Sequence, residues 1–340
     1  MGKFSGPRLP RVLARERLFR LIDDGLQGTA VWIAGCAGAG KTTLVGSYLD
    51  SRRQPAFWYR VDGSDRDVAG CCRLLRQATA GSTSPAASSI LPLDALAGSD
   101  LRAFFRHYFA DLYSSLSGPV TLVFDNTQEA LSAATFRALL VAAIGEAPAT
   151  ARLLIASRVR PTADFARLLA HGHLVLLDPE QLPFTEEESL AVQRLARPLA
   201  GTLSLDQMTR LHQLSRGWPA GLNLLLQLPQ AQTRQLDAGT AGDQAALFAY
   251  LAGEIFEQQD AAVQRILLEL ACLPRMTAAM AVDLCGSPQA ADVLATMHHD
   301  GVLTTLNGSG EPAQYEFHPL LREFLRRRAR AQLAADAQAL

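Results

Sequence analysis

Three observations predict an α/β chain whose parallel sheet is followed by a helical domain and a winged-helix domain. Apolar runs of strand length alternate with amphipathic helices over residues 1–180, the order that builds a parallel sheet with helices on both faces. One of those strands runs directly into a glycine-rich turn and a helix, Val31-Trp-Ile-Ala-Gly-Cys-Ala-Gly-Ala-Gly-Lys-Thr-Thr-Leu44. From Pro183 the texture changes to helices without a clear strand, until three helices and a hairpin close the pattern. The division expected is therefore 1–180, 181–242 and 243–340.

Composition narrows the function classes. A chain of 340 residues accommodates two or three domains. Hydrophobic residues at 49% against 19% charged exclude wholesale disorder. A formal net charge of -1 offers no global attraction to nucleic acid or anionic lipid, so DNA binding would need a local patch. The five cysteines are odd in number, include the adjacent pair Cys71 and Cys72, and lack metal-ligand spacing. No signal-peptide core is present, and no apolar run reaches the ~18 residues of a membrane span. The expectation is a reduced, cytoplasmic chain with no membrane partner.

In order, the lead-in through Pro7 and Pro10 reads as extended. Leu18, Phe19, Leu21 and Ile22 mark one amphipathic helix that ends near Gly25 or Gly28. Val31 to Ala34 is a buried strand, and the helix after Lys41 leads to an aromatic, β-rich strand from Ala56 to Val61. Asp62 to Asp67 reads as a solvated acidic turn. A Ser/Ala/Pro-rich excursion over 80–100 reads as a mobile surface loop. A helix from Leu101 to Leu116 precedes the strand Val120 to Asp125. Helix Thr135–Ile144, strand Arg152–Ala156, helix Asp164–Ala170 and strand His173–Leu177 complete the sheet region. Helices then follow at Glu186–Leu195, Leu205–Leu214 and Gly221–Leu228, with a Gln/Gly/Thr-rich linker over Gln232–Asp243. Helices at Ala245–Gln258, Ala261–Cys272, Ala278–Cys285 and Pro288–His299 lead to a hairpin of Gly301–Leu306 and Gln314–Phe317, and a last helix runs from His318.

The glycine-rich turn carries the chemistry. Gly35-x-x-x-x-Gly40-Lys41-Thr42 is a complete phosphate-loop pattern between strand and helix. Gly35, Gly38 and Gly40 lack a Cβ, so the backbone of Gly35, Cys36, Ala37, Gly38, Ala39 and Gly40 can curl its N–H groups onto phosphate oxygens at a helix N-terminus. Lys41 supplies a cation for the β- and γ-phosphates, and Thr42 a hydroxyl for Mg²⁺. Asp125, at the end of a buried strand, supplies the matching metal carboxylate. Arg158, at the tip of the neighbouring strand, is read as a γ-phosphate sensor in preference to a surface cap. Cys36 is read as filling a small site within the loop.

The order of these motifs resembles the STAND class, the signal-transduction ATPases with numerous domains, and within it the MalT-like branch of ATP-dependent LuxR-type regulators. The segments that carry the resemblance are Arg15-Glu-Arg-Leu18, Gly35–Thr43, Phe57-Trp58-Tyr59, Leu122–Asp125, Leu154–Arg158, Ser215-Arg-Gly-Trp-Pro-Ala-Gly-Leu222 and Tyr315-Glu-Phe-His-Pro-Leu-Leu-Arg-Glu-Phe-Leu325. The resemblance implies an ATP/ADP-binding switch with Mg²⁺, in which Thr43 joins the phosphate contacts and Arg15 passes the adenine. Pro219, in Gly217-Trp218-Pro219, would pack on the adenine, and His318 would touch the ADP β-phosphate from the winged helix. It further implies an inducer of unknown identity, self-association in the ATP state, and DNA contact only through domains beyond this stretch.

Two departures qualify the resemblance. Asn126 stands where relatives place a second acidic residue, and an amide cannot accept a proton although it can orient a water. Slow hydrolysis is expected, with Glu129 a remote substitute. Residues 319–340 add only a basic helix (Arg322, Arg326, Arg327, Arg328, Arg330), read as a solvated face or a dimer contact, with no repeats and no further DNA-binding helix pair. Two rival expectations remain: an ATPase with rapid turnover, and a direct DNA binder acting through the winged helix.

Overall fold

In the computed structural model, the residues described are 3–9, 11–79, 100–116, 118–196, 203–227, 249, 252–253, 256–257, 259–299, 304–307 and 313–338. The 80–100 excursion (save residue 100), the Gln232–Asp243 linker and most of the helix expected at Ala245–Gln258 lie outside them.

Five strands form one parallel sheet in the order β2-β3-β4-β1-β5: β1 (Ala30–Ala34), β2 (Ala56–Arg60), β3 (Val120–Asp125), β4 (Ala151–Ser157) and β5 (Leu174–Leu177). β1 and β3 are buried along their whole length, which is why they read as continuous apolar runs rather than alternating ones. Successive side chains still serve opposite faces. Ala30, Trp32 and Ala34 join the core with α3 (Val68–Thr79), α4 (Leu101–Ser115) and α5 (Ala134–Gly145). Val31 and Ile33 join Leu18, Phe19 and Ile22 of α1 (Glu16–Gly25) and Leu44, Val45 and Tyr48 of α2 (Lys41–Arg52). A short helix, α6 (Ala166–Ala170), precedes β5.

The extended lead-in covers the free edge of β2. The Arg60 N–H donates to the Lys3 carbonyl at 2.8 Å, and a Cβ on Gly6 would lie 3.2 Å from the Trp58 ring. The acidic turn expected after β2 is exposed at Gly63, Ser64, Arg66 and Asp67, but its reading as solvated requires correction at Asp65. Gly63–Arg66 is a 3-10 turn, and Asp65 within it is buried at 1% exposure. Its carboxylate accepts from the Tyr59 hydroxyl at 2.5 Å, from Lys3 Nζ at 2.8 Å and, through Oδ2, from the Asp62 N–H at 2.7 Å. A carboxylate so enclosed must be fully bonded, and this one ties the lead-in to the sheet.

After the sheet the chain forms α7 (Glu186–Ala196), α8 (Leu205–Ser215) and α9 (Pro219–Gln227), then α10 (Ala261–Leu270), α11 (Ala278–Cys285) and α12 (Gln289–His299). An antiparallel hairpin of β6 (Thr304–Asn307) and β7 (Gln314–Phe317) leads into α13 (Pro319–Gln338). Met276, just before α11, bridges to Tyr315 of β7. Met208, Leu211 and Trp218 share one buried cluster with Ile266, Leu270, Leu294 and Phe317, so the helical and winged-helix parts are packed as a common core. The basic last helix is partly paired: Arg322 donates to the Ala271 and Cys272 carbonyls, Arg327 pairs with Glu323 and Arg328 with Glu257. Among the described residues, no helix is long and apolar enough to cross a membrane.

Candidate functional site

The C-terminal edge of the sheet is where the loops after β1, β3 and β4 converge, because parallel strands end together. β1 delivers Gly35, and the turn to α2 requires left-handed backbone at Gly38 (φ 75°) and Gly40 (φ 78°), a region glycine enters without cost. At Gly38 a side chain is also excluded by space, since a Cβ would lie 2.5 Å from the Ala220 Cβ. Ala39 is buried, while Cys36 and Thr43 are exposed. Although the residue is exposed, partial desolvation of its thiol against the loop raises the Cys36 pKa, with the Lys41 charge opposing.

Lys41, the first residue of α2, folds back over the loop, and its Nζ donates to the Gly35 carbonyl at 2.7 Å and the Cys36 carbonyl at 2.8 Å. Burial depresses its pKa to about 8, with the charge of Arg158 adding to the effect and Asp125 opposing it. Thr42 Oγ1 lies 3.1 Å from each carboxylate oxygen of Asp125. Asp125 is 2% exposed, and burial raises its pKa against the pull of Arg60, Thr42, Lys41 and the Asn126 N–H. A hydroxyl and a buried carboxylate facing each other below a curled loop form an oxygen donor set that suits Mg²⁺.

Asn126 adopts left-handed backbone (φ 62°), which asparagine tolerates better than most residues. Its N–H donates to Asp125 Oδ1 at 3.0 Å. Glu129 is exposed and its Oε1 accepts from Gln128. Arg158 is exposed at the tip of β4, and its N–H donates to Gln128 Oε1 at 3.1 Å. His318 links β7 to α13, and burial pushes its pKa down to about 4, with the charges of Arg158 and Lys41 as further causes. The winged-helix histidine thus stands within electrostatic reach of both cations of the phosphate site.

Two long-range grips hold the rear of the chain to this edge. The first is the turn before α9. The Ala220 N–H donates to the Gly38 carbonyl at 3.1 Å, Trp218 Nε1 donates to the Ala37 carbonyl at 3.2 Å, and the Pro219 ring lies 3.7 Å from where a Gly40 Cβ would stand. The second is a fork from Arg60, at the end of β2, onto the Glu316 carboxylate of β7, with Nη2 to Oε1 at 2.6 Å and Arg275 Nε 3.5 Å from the other oxygen. Arg60 also pairs in register with Asp125, so one guanidinium borders both the candidate metal carboxylate and the winged helix.

The structure therefore brings together Gly35, Cys36, Ala37, Gly38, Ala39, Gly40, Lys41, Thr42, Thr43 and Asp125, with Arg158, His318 and Pro219 at their rim. Arg15 is placed differently. It is 6% exposed, its Nη2 donates to Glu188 at 2.9 Å and the Pro183 carbonyl at 3.0 Å, and it stacks 4.6 Å from the Phe184 ring centroid. It acts as a tether between the lead-in and α7, although its Nε remains buried with no hydrogen-bond partner. Sequence reasoning missed the Trp218 and Ala220 donors, which stand inside a motif already singled out. It also missed Arg60 and Glu316, which nothing in the local pattern distinguishes from surface charges.

Comparison with known proteins agrees with this layout. Residues 252–337 match the MalT winged helix domain family, and residues 12–158 match the family described as Nephrocystin 3, N-terminal. The HTH-type transcriptional regulator MalT of Yersinia pestis (strain Pestoides F) is 28% identical over 98% of this chain and 37% of its own length. The same regulator of Yersinia pseudotuberculosis serotype O:1b matches equally, at 28% over 98% of this chain. The chain thus spans little more than a third of the curated relatives it matches. A STAND protein with a tetratricopeptide repeat sensor from Pyrococcus horikoshii shares the fold, with a TM-score of 0.68 at 19% identity over 95% of this chain and 43% of that one.

Proposed function

We propose that this chain, which is similar to MalT and shares the fold of a STAND protein, is the nucleotide-dependent switch of a larger transcription regulator. ATP or ADP binds on the loop Gly35–Thr43 with Lys41 on the outer phosphates. Mg²⁺ is held by Thr42 and Asp125, where it neutralises phosphate charge. Lys41 must release its two loop carbonyls to do so, and a phosphate oxygen is the stronger acceptor. Arg158 reads the γ-phosphate and Pro219 borders the adenine side. ADP holds the winged helix shut through His318; ATP with an inducer releases it and permits self-association. The switch divides into 1–180, 181–242 and 243–340, works in the cytoplasm, and belongs with LuxR-type regulators whose DNA contact lies outside this stretch.

The observation that carries the reading is the seating of the rear on the loop, where Trp218 Nε1 and the Ala220 N–H bond the Ala37 and Gly38 carbonyls, with His318 feeling the charges of Lys41 and Arg158. It supports a site that senses occupancy, because a ligand there touches both halves at once. Slow hydrolysis suits such a device, since which nucleotide is bound, rather than turnover, sets its state. Asn126 supports it, as a general base typically contributes about 10²–10⁴-fold.

Calorimetric titration with ADP and ATP tests the proposal. Binding is expected for the native chain and a loss of about 10- to 100-fold for Lys41→Ala, the range of a charge-assisted contact of about 1.5–3 kcal/mol. Undiminished binding by Lys41→Ala removes the reading. Phosphate release at about 1 s⁻¹ or faster would favour a true ATPase instead.

A further inference from the structure

We infer that Trp218 is a positioning residue for the phosphate loop, aiming a loop N–H at the nucleotide and so coupling phosphate binding to the docking of the helical domain. The inference rests on the nucleotide-binding reading above and deepens it. The indole is 2% exposed and belongs to the rear core with Met208, Leu211 and Phe317. Its Nε1 nevertheless reaches across to the Ala37 carbonyl at 3.2 Å. Two glycines make room for that reach. A Cβ on Gly221 would lie 2.5 Å from the indole, and one on Gly38 would lie 3.0 Å from Nε1.

A trans peptide is planar, with its C=O and N–H pointing in opposite directions. Fixing the Ala37 carbonyl on the indole therefore turns the Gly38 N–H to the other side of the loop, away from the helical domain. The Ala220 N–H fixes the next carbonyl, that of Gly38, at 3.1 Å. Glycine backbone has the most conformational freedom to lose, so holding two successive peptides before the ligand arrives lowers the ordering cost of binding. These bonds exist only while α9 packs on the loop. Binding and docking are consequently linked, and each strengthens the other by the same factor. Pro219, between the two donors, is spared from bonding because it has no N–H.

The test is ADP titration of the 340-residue chain, together with thermal melting with and without ADP. The variants are Trp218→Phe, the chain carrying benzothienylalanine at position 218 (the same volume without the N–H), Trp58→Phe and Lys41→Ala. Loss of one neutral hydrogen bond is expected to weaken ADP binding about five-fold for Trp218→Phe and for the isostere. The isostere should melt slightly earlier than the native chain without ADP and show a smaller rise with it. Trp58→Phe should melt earlier yet bind ADP as the native chain does. Native ADP affinity in the isostere overturns the inference even if Trp218→Phe fails to fold. If the native chain and Lys41→Ala both ignore ADP, the nucleotide reading itself has failed.

Discussion

The front and rear of the molecule hold the same site by different means. In front, Gly35 to Thr42 are consecutive residues pinned between β1 and α2, and Asp125 arrives on a strand buried along its whole length. Their geometry is part of the sheet and persists as long as the sheet does. The rear reaches the site through separate polar contacts: Trp218 and Ala220 on loop carbonyls, Glu316 on Arg60, Glu188 on Arg15. Each is worth about 1–3 kcal/mol at most, so the set can be exchanged for ligand contacts without unfolding either half. That asymmetry is what the proposed switch would require: one rigid face, one detachable face.

Three substitutions break or sharpen this contrast. The largest effect is expected at Gly217, where φ is 69° and a Cβ would lie 2.3 Å from the Phe184 carbonyl oxygen. Gly217→Ala should destabilise by about 3 kcal/mol, combining left-handed strain with a backbone clash. In chemical melting the rear should unfold first; one unchanged transition would mean that the halves are a single cooperative unit.

Glu316→Gln comes next. The carboxylate and Arg60 are 15% and 16% exposed, between the surface and buried cases, and removing one partner should cost about 1–3 kcal/mol. Limited proteolysis should then cut between α9 and α10 faster, while ADP affinity falls much less than in Lys41→Ala. Equal protection of variant and native chain would show that the fork holds nothing.

The smallest effect at neutral pH is that of His318, and it grows as the pH falls. His318 has a folded pKa of about 4 against 6.5 in the open chain. The unfolded state therefore binds more protons between these values, and stability falls as pH drops from 6.5 towards 4. His318→Gln should flatten that part of the profile; an unchanged slope would place its origin elsewhere.

Much of this was legible in sequence because it is local. The loop pattern, its strand and its helix lie within fourteen consecutive residues, and buried parallel strands announce themselves as apolar runs. Asp125 and Arg158 could be singled out because each ends such a run. The acidic turn after β2 was misjudged for the opposite reason: Asp65 is buried by Lys3 and Tyr59, and only the fold brings Lys3 there. Arg15 likewise reads as a residue near the nucleotide, whereas its Nη2 is committed to Glu188 and Pro183.

Sequence alone determined which residues are candidates for phosphate and metal, since that depends on backbone freedom and donor type at the ends of buried strands. Tertiary structure decided which of them face one another. Ala37 meets Trp218 and Arg60 meets Glu316 across separations of more than a hundred residues, and His318 feels the charges of Lys41 and Arg158 across similar ones. Such pairs leave no periodic signal in the chain, because charge and hydrogen-bond complementarity act through space once the cores have fixed the distance.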